Sequence, residues 1–281
     1  MCICAGLRIC DVTSAPLDSV AIVGCGLIGA SIAAACHHAG INVYCTDVDD
    51  SHADVVRSRY GAHPWDGGPV DLIVVAVPPA AVVDAVAEAQ VRAPKTPITD
   101  VGSVKSTIVA AIESPWFVGG HPLAGAASSG PTGADAGLFA GRPWATCARQ
   151  RSNAQTRAAV SALITACGAH EVQVAADEHD RAVAVTSHAA QMVASALAVQ
   201  WAQLPGASRD LRGRAFDEVF RLAGSDPAMW QQIASSNAGA VAHALLTLAD
   251  QLTEIADGLS SGDDNGVAKL MTEANEAVND N

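Results

Sequence analysis

The residues that most clearly carry chemistry lie near the amino terminus, where three glycines follow the pattern Gly24-x-Gly26-x-x-Gly29. They come directly after the β-branched run Val20–Val23 and before the helical pattern Ala30–His38, a context typical of a dinucleotide-binding loop. In such a loop the first glycine permits a tight turn, the second lets the backbone approach a pyrophosphate, and the third lets the helix pack on the strand. The free N–H groups at the helix start then bind the phosphates.

An acidic residue, Asp47, follows the next predicted strand, Asn42–Thr46. A carboxylate at this distance from the glycines binds the adenosine ribose hydroxyls and would repel a 2′-phosphate, so the sequence favours NAD over NADP. The alternative is a purely structural glycine turn. The predicted cofactor-binding residues are Gly24, Gly26, Leu27, Ile28, Gly29, Ser31, Asp47, Val77 and Pro78.

A titratable side chain, His121, stands in the sequence VGGHPLAG, among glycines and a proline. Because glycine and proline interrupt regular structure, we expect Val118 to close a strand and His121 to lie in a loop just past it. Pro78 and Ser103 also fall at predicted strand ends. Pro78 follows the fully apolar run Leu72–Val77, which predicts a buried parallel strand, and the serine follows the run Ile98–Val101. Ligands of open parallel sheets bind at the carboxyl ends of the strands, so these residues are candidates for one site. The structural alternatives are a histidine bonded within a turn and a serine that caps a helix.

The second half of the chain has a helical period. A long helical pattern opens at Asp177, and in it Arg181, His188 and Ser195 recur every seven residues and share one face, which Gln191 joins. This polar stripe on an alanine-rich helix either lines a binding site or forms a face exposed to solvent.

Two further helical patterns follow. Asp217–Ala223 carries Arg221 in its last turn, as either an anion ligand or a cation that balances the helix dipole, and Asp226 before Pro227 predicts the next helix start. Apolar residues between positions 241 and 259 then alternate in steps of four and three, which predicts a long helix with an apolar seam. We expect this seam to form a homodimer interface, with intrachain packing as the alternative.

Together these patterns predict an α/β Rossmann-type dinucleotide-binding domain followed by an all-α carboxyl-terminal domain. We place the NAD-binding domain at residues 1–176 and the helical substrate and dimerisation domain at 177–281. Residues 1–18 have no assigned role.

Composition narrows the class of protein. The chain has 281 residues, 50% of them hydrophobic, and a net charge of −13, which argues against a nucleic-acid partner. Its eight cysteines include no CxxC pair and no recurrent Cys/His spacing, so we expect a reduced, cytoplasmic protein without a metal site. The apolar runs are too short for a membrane span, and the amino terminus lacks the pattern of a secretory signal.

Several stretches together resemble the prephenate dehydrogenase family of tyrosine biosynthesis and its arogenate-using relatives. In the family's order they are VGCGLIGAS (23–31), ITDVGSVKS (98–106), FVGGHPLAG (117–125), SSGPTGADAGLFAGRPW (128–144), EHDRAVAVTSH (178–188) and FRLAGSDPAMW (220–230). The glycine motif is shared with many NAD enzymes, whereas DVGSVK, GGHPxAG and SDPxxW are more specific. The resemblance implies that NAD takes a hydride from a cyclohexadienyl substrate, which then loses CO2 and becomes aromatic.

The resemblance also implies roles for individual residues. His121 matches the family's catalytic histidine, which accepts the proton of the substrate's 4-hydroxyl, and Ser103 bridges that hydroxyl and the nicotinamide. Arg221 matches the arginine that binds the substrate carboxylate. His188 matches a substrate-site histidine, and Gln191 stands where many relatives have a second histidine, so it can hydrogen-bond but cannot be charged.

Alternatives remain open at this stage. The leading hypothesis is oxidation of prephenate to 4-hydroxyphenylpyruvate, and the second is oxidation of arogenate directly to tyrosine. A β-hydroxyacid dehydrogenase would place a catalytic lysine on an interdomain helix, but residues 177–203 contain no lysine. A non-catalytic dinucleotide-sensing dimer would need the glycine loop and the apolar seam, but not His121, Ser103 and Arg221 together.

Overall fold

The computed structural model describes residues 17–126 and 128–279. Of the segment 1–18, which has no assigned role, all but its last two residues lie outside the described residues. The chain divides into two compact units, Met1–Asp180 with Gly224–Ser236 and Arg181–Ala223 with Asn237–Asn281. We call them the first unit and the helical unit. The domain boundary after residue 176 stays a prediction.

The first unit is built on an eight-stranded sheet. The strands are β1 Ser19–Val23, β2 Asn42–Thr46, β3 His63–Pro64, β4 Leu72–Val75, β5 Ile98–Asp100, β6 Phe117–Pro122, β7 Pro143–Cys147 and β8 His170–Gln173. Their spatial order is β3-β2-β1-β4-β5-β6-β7-β8, and all neighbours are parallel except β6 and β7. From β1, strands β2 and β3 extend the sheet to one side, and strands β4 to β8 extend it to the other. The strand order therefore reverses beside β1, and such sheets bind their ligands at this switch point.

Helices connect these strands and then form the rest of the chain. They are α1 Leu27–His38, α2 Asp50–Tyr60, α3 Val82–Arg92, α4 Ser106–Ala111, α5 Ala154–Ala166, α6 Ala176–Val183, α7 Ala190–Ala202, α8 Arg214–Ala223, α9 Pro227–Ser236, α10 Ala238–Ser261 and α11 Asn265–Asn279. The predicted strand–helix–strand unit around the glycines is β1, α1 and β2. Helix α1 begins at Leu27, three residues before the predicted start, because Gly26 occupies its N-cap.

The core lies on both faces of the sheet, and β4 shows why. Leu72 and Val74 pack into a cluster with residues of α1 and α5, whereas Ile73 and Val75 pack into a cluster with residues of α3 and α4. Alternate side chains of a strand point to opposite faces, so a strand between two helical layers must be apolar throughout. The continuous apolar run in the sequence predicted this position.

The strand that carries His121 is longer than its composition predicts, and the expected loop is wrong. His121 lies within β6, which pairs antiparallel with β7. A Cβ on Gly119 would come 2.8 Å from Val109 Cγ2, and one on Gly120 would come 2.6 Å from the carbonyl oxygen of Asp100. The glycines therefore serve close packing against neighbouring segments inside a strand, not a turn.

The helical unit contains α7, α8, α10 and α11, with a π-helical turn, Ala184–Ala189, before α7. A π-helical turn changes the helical repeat and rotates the residues beyond it. The predicted polar stripe is accordingly divided, because Arg181 is exposed while His188 and Gln191 are buried. The predicted architecture, a Rossmann-type domain followed by helices, is confirmed.

The long helix α10 contains the predicted apolar seam. Val241 near its start is buried, whereas Leu252 and Leu259 are 52% and 55% exposed. The single chain thus covers the beginning of the seam and leaves its end accessible.

The segment Ala176–Ala202 is long and apolar enough, by length and composition, to cross a membrane, although no membrane span was expected from the sequence. Within the helical unit, however, His188 contacts Asn237, and Gln191 donates a hydrogen bond to the Leu222 carbonyl. These are contacts of a helix that packs against other helices, so the segment is weak evidence for a membrane span.

Candidate functional site

The glycine loop after β1 has the geometry that a dinucleotide requires. Gly24 has a φ of +99°, and a Cβ there would lie 2.5 Å from the Ala76 carbonyl oxygen, so only glycine fits. A Cβ on Gly29 would lie 2.0 Å from the Gly24 carbonyl oxygen, which explains the close packing of α1 on β1. A Cβ on Gly26 would meet nothing within 4 Å. Gly26 therefore borders open space at the amino-terminal end of α1, where a phosphate would approach.

The carboxylate of Asp47 links this loop to the end of β2. It accepts hydrogen bonds from the backbone N–H of Cys25, at 2.5 Å, and from that of Asp49, at 2.8 Å. It also lines a cavity of about 490 Å³ that extends from the glycine loop. The predicted cofactor residues that line this cavity are Gly24, Gly26, Asp47, Val77 and Pro78.

The other predicted cofactor residues have packing contacts instead. The hydroxyl of Ser31 is buried and accepts a hydrogen bond from the backbone N–H of Asp135 at 3.1 Å. Ile28 packs against the core, and Leu27 lies next to Gly133. Ser31 and Leu27 hold the start of α1 against the segment after β6. The contact of all three residues with a cofactor stays a prediction.

The thiol of Cys25 lies in the glycine loop but is buried. A hydrogen bond with Cys45 and burial both raise the pKa of the Cys25 thiol well above its ordinary value. The thiol is therefore neutral and unreactive at physiological pH.

A buried ion pair lies behind the ends of β5 and β6. Lys105 and Asp100 are both 0% exposed, and Lys105 Nζ contacts Asp100 Oδ2 and donates to the Gly120 carbonyl at 2.8 Å. Asp100 also accepts from the backbone N–H groups of Gly102, at 2.8 Å, and Gly120, at 3.2 Å. A buried carboxylate with this many donors is compensated. The pair ties the loop after β5, with its half-buried Ser103, to the residue before His121.

His121 is the first member of a chain of hydrogen-bonded groups. Its Nδ1 lies 2.9 Å from Nε2 of His179, whose Nδ1 lies 2.8 Å from Oδ1 of Asp180. The Asp180 carboxylate also accepts from the backbone N–H groups of Lys105 and Ser106, each at 2.8 Å. His179 and Asp180 are buried, whereas His121 is half-buried.

Burial raises the pKa of Asp180, but the hydrogen bonds from His179, Ser106 and Lys105 outweigh burial and lower this pKa to about 2. Asp180 is therefore ionised at neutral pH, and its oxygens act only as acceptors.

The three predicted substrate residues belong to the helical unit. His188 is buried, with Nδ1 3.4 Å from Nδ2 of Asn237. Gln191 is also buried, and its Nε2 donates to the Leu222 carbonyl at 2.8 Å. Arg221, on α8, is exposed. Gln191 thus contacts the residue that follows Arg221, and this contact supports the end of α8.

The sequence patterns assigned neither the pair Asp100 and Lys105 nor the pair His179 and Asp180 to the site. A signal was present in both cases. DVGSVK places an acid and a base around a serine in an otherwise apolar stretch, and EHDR places a histidine beside an acid. Nothing in their spacing indicates that the second pair contacts residues more than 50 positions earlier.

The strand order and the glycine loop place the first unit in the class of nucleotide-binding dehydrogenase domains. Comparison with known proteins narrows this class. The family model for the prephenate dehydrogenase nucleotide-binding domain matches residues 32–173, and that for the prephenate dehydrogenase dimerization domain matches residues 175–273.

Individual relatives agree with these matches. The probable prephenate dehydrogenase NovF of Streptomyces niveus is 32% identical over 258 residues, which cover 88% of this chain and 71% of the relative. The prephenate dehydrogenase of Bacillus subtilis is 30% identical over 240 residues, and these span 78% of this chain and 64% of that enzyme. The Aquifex aeolicus prephenate dehydrogenase, solved with hydroxyphenyl propionate and NAD+, superposes with a TM-score of 0.84 at 22% identity, covering 95% of this chain and 100% of that one.

The chain belongs to the prephenate dehydrogenase family. The resemblance to this family that the sequence indicated is confirmed. The predictions of an oxidoreductase with an NAD-binding Rossmann fold and of a role in tyrosine biosynthesis are also confirmed.

Proposed function

We propose that this protein is an NAD-dependent dehydrogenase of the cytoplasm that converts prephenate to 4-hydroxyphenylpyruvate. One observation carries the proposal within this family. The Lys105–Asp100 ion pair joins the DVGSVK loop to β6, at the same sheet edge as the glycine loop and its cavity. This edge is where a doubly wound sheet binds its ligand.

The residues around the glycine loop and its cavity can accommodate a dinucleotide. Gly26 leaves space at the start of α1 for the pyrophosphate, and Asp47 lines the cavity as an acceptor for ribose hydroxyls. A carboxylate in this position disfavours a 2′-phosphate, which supports NAD over NADP. When bound, NAD supplies the hydride acceptor.

The side chains of this protein account for the remaining steps. The substrate loses a hydride from C4 and the proton of its 4-hydroxyl, which gives a ring ketone. The ring carboxylate then leaves as CO2, and its electron pair makes the ring aromatic and the ketone oxygen a phenolate, which takes a proton back to give the phenol. His121 accepts the hydroxyl proton as a general base. Ser103 positions the hydroxyl by hydrogen bonding, and the exposed guanidinium of Arg221 binds a substrate carboxylate through two parallel hydrogen bonds. A specific arginine is needed because the chain carries a net charge of −13.

We further propose that the enzyme is a homodimer formed through its helical unit. The matching family model describes a dimerization domain, and the exposed end of the α10 seam, Leu252 and Leu259, offers an apolar surface for it. Sedimentation velocity of the purified protein measures this state directly.

A spectrophotometric assay of NADH formation tests the function, with prephenate and arogenate supplied in parallel. We expect turnover with prephenate and release of 4-hydroxyphenylpyruvate. His121→Asn should lower kcat by on the order of 10²- to 10⁴-fold while leaving NAD affinity unchanged, because the variant loses the base and not the cofactor contacts. His170→Gln, which alters an exposed histidine on β8, is the matched control.

The other outcomes are equally informative. Higher kcat/KM with arogenate would make the enzyme an arogenate dehydrogenase. NAD binding without turnover of either compound would indicate a dinucleotide sensor, and undiminished turnover by His121→Asn would exclude the proposed base.

A further inference from the structure

Asp180, His179 and His121 form a continuous line of hydrogen-bonding groups within the first unit. The two distances along it, 2.8 Å from carboxylate to imidazole and 2.9 Å between the imidazoles, are both those of real hydrogen bonds. The imidazole planes are inclined by 70°, so the rings meet edge to face and do not stack. His179 and Asp180 have 3% and 5% of their surface exposed, so bulk water does not compete for these bonds.

Asp180 determines the direction of every donor along this line. Its two oxygens already accept two backbone N–H groups at the start of α4. An ionised carboxylate has no hydrogen to donate, so the hydrogen between Asp180 and His179 belongs to Nδ1 of His179. In neutral imidazole the other ring nitrogen then carries the lone pair, which makes Nε2 of His179 an acceptor.

The same argument continues one ring further. Since Nε2 of His179 accepts, the hydrogen between the rings belongs to Nδ1 of His121. Nε2 of His121 then carries a lone pair, which is the atom that a general base must present. The opposite arrangement would place a hydrogen on Nε2 of His121, and that nitrogen would be unable to accept a proton.

We infer that His179 and Asp180 are positioning residues that fix the tautomer of His121, so that its Nε2 is held ready to accept the proton of the substrate's hydroxyl. This inference rests on the proposed function of His121 as the base. The arrangement resembles the general logic in which a buried carboxylate orients a catalytic imidazole, but here a second imidazole is inserted between the two.

Asp180 also acts on the loop that carries Ser103. Its bond to the backbone N–H of Lys105 fixes the end of the DVGSVK segment, and the bond from Gly102 to Asp100 fixes the other side of the serine. One carboxylate therefore sets both the tautomer of His121 and the position of the neighbouring loop.

The tautomer itself is measured by NMR on the full-length protein labelled with 15N-histidine, without substrate. The signals of His121 and His179 are assigned by their loss in His121→Asn and His179→Gln. We expect His121 to have a protonated Nδ1 and an unprotonated Nε2. In Asp180→Leu no side-chain oxygen remains to accept from Nδ1 of His179, so we expect both neutral tautomers of His121 to be populated. Retention of the single Nδ1-protonated tautomer in Asp180→Leu would overturn the inference.

Two replacements of His179 separate positioning from mere packing. In His179→Gln the side-chain oxygen can accept from His121 while its NH2 donates to Asp180, whereas His179→Phe fills the space without either bond. We expect kcat to fall by less than about tenfold in the glutamine variant and by on the order of 10²-fold in the phenylalanine variant, with KM for NAD unchanged in both. Equal kcat in the two variants would overturn the inference.

A double variant and a control complete the test. If Asp180 acts through His121, Asp180→Leu should lower kcat at least about tenfold alone but cause no further loss in a His121→Asn background. Glu171→Gln is the matched control, because Glu171 also accepts side-chain hydrogen bonds, from Thr146, Ser161 and Gln173, and has no part in the site. The NMR result does not require turnover, so an inactive wild type with the expected tautomer would refute the proposed function and leave the inference intact.

Discussion

Removal of the Lys105 ammonium group should destabilise the first unit far more than removal of a surface cation. Lys105 and Asp100 are both 0% exposed, and Lys105→Met would leave the Asp100 carboxylate buried without its counter-ion. It would also remove the donor to the Gly120 carbonyl at 2.8 Å. Breaking a buried ion pair from one side costs about 3–5 kcal/mol, a large part of the ~5–15 kcal/mol that stabilises a typical domain.

Equilibrium urea unfolding measures this change, with Arg92→Met as the matched control. Arg92 pairs with Glu88 one helical turn away, and their side chains are 45% and 63% exposed, so losing that pair should cost less than about 1 kcal/mol. The double variant Asp100→Asn/Lys105→Met should be more stable than the sum of the single effects predicts, because it leaves no uncompensated charge. A loss in Lys105→Met no greater than that in Arg92→Met would refute the reasoning.

Two more predictions concern the glycine loop and the buried carboxylate. Gly29→Ala should lower the free energy of unfolding by at least about 2 kcal/mol, because its Cβ would lie 2.0 Å from the Gly24 carbonyl oxygen. Gly26→Ala should leave the free energy of unfolding unchanged but weaken NAD binding at least about tenfold. Urea unfolding measures the stability of each variant, and calorimetric titration measures its affinity for NAD. Equal changes of stability and of NAD affinity in the two variants would contradict the different roles given to Gly26 and Gly29. The pKa of Asp180 is lowered to about 2 from an ordinary 3.8, so its stabilising contribution is complete above about pH 4 and is lost as the pH falls through 2. Asp180→Asn should therefore reduce the acid-induced loss of stability by about 1–2 kcal/mol, and an unchanged pH dependence would contradict this.

Local patterns in the sequence were sufficient to predict the strands and the helix around the cofactor loop. The β-branched run before Gly24, the helix after it and the strand before Asp47 each follow from the period of the side chains and from glycine stereochemistry. The apolar run that became β4 has a single solution, a strand buried on both faces. The seam of α10 likewise follows from its spacing of three and four. In each case the signal lies within about twenty consecutive residues.

The region around His121 shows where such reasoning fails. Two glycines and a proline predicted a loop, but β6 continues through them because Val109 and Asp100 leave no room for side chains. The antiparallel partner, β7, has no strong pattern of its own and was not predicted. Glycine in a sequence has the same appearance whether it permits a turn or a close approach, and only the neighbouring segment distinguishes the two.

The amino-acid sequence by itself determined the family and the cofactor loop, because both depend on residue types in motifs of fixed spacing, and it proposed His121 as the base. Only the tertiary structure decided what surrounds that histidine. Asp180 and His179 lie in the middle of α6, almost sixty residues beyond His121. Lys105 joins β5 to β6 through a charge that is wholly buried. Hydrogen bonds and ion pairs act over about 3 Å in space regardless of separation along the chain, so their partners become evident only when the sheet brings its strand ends together.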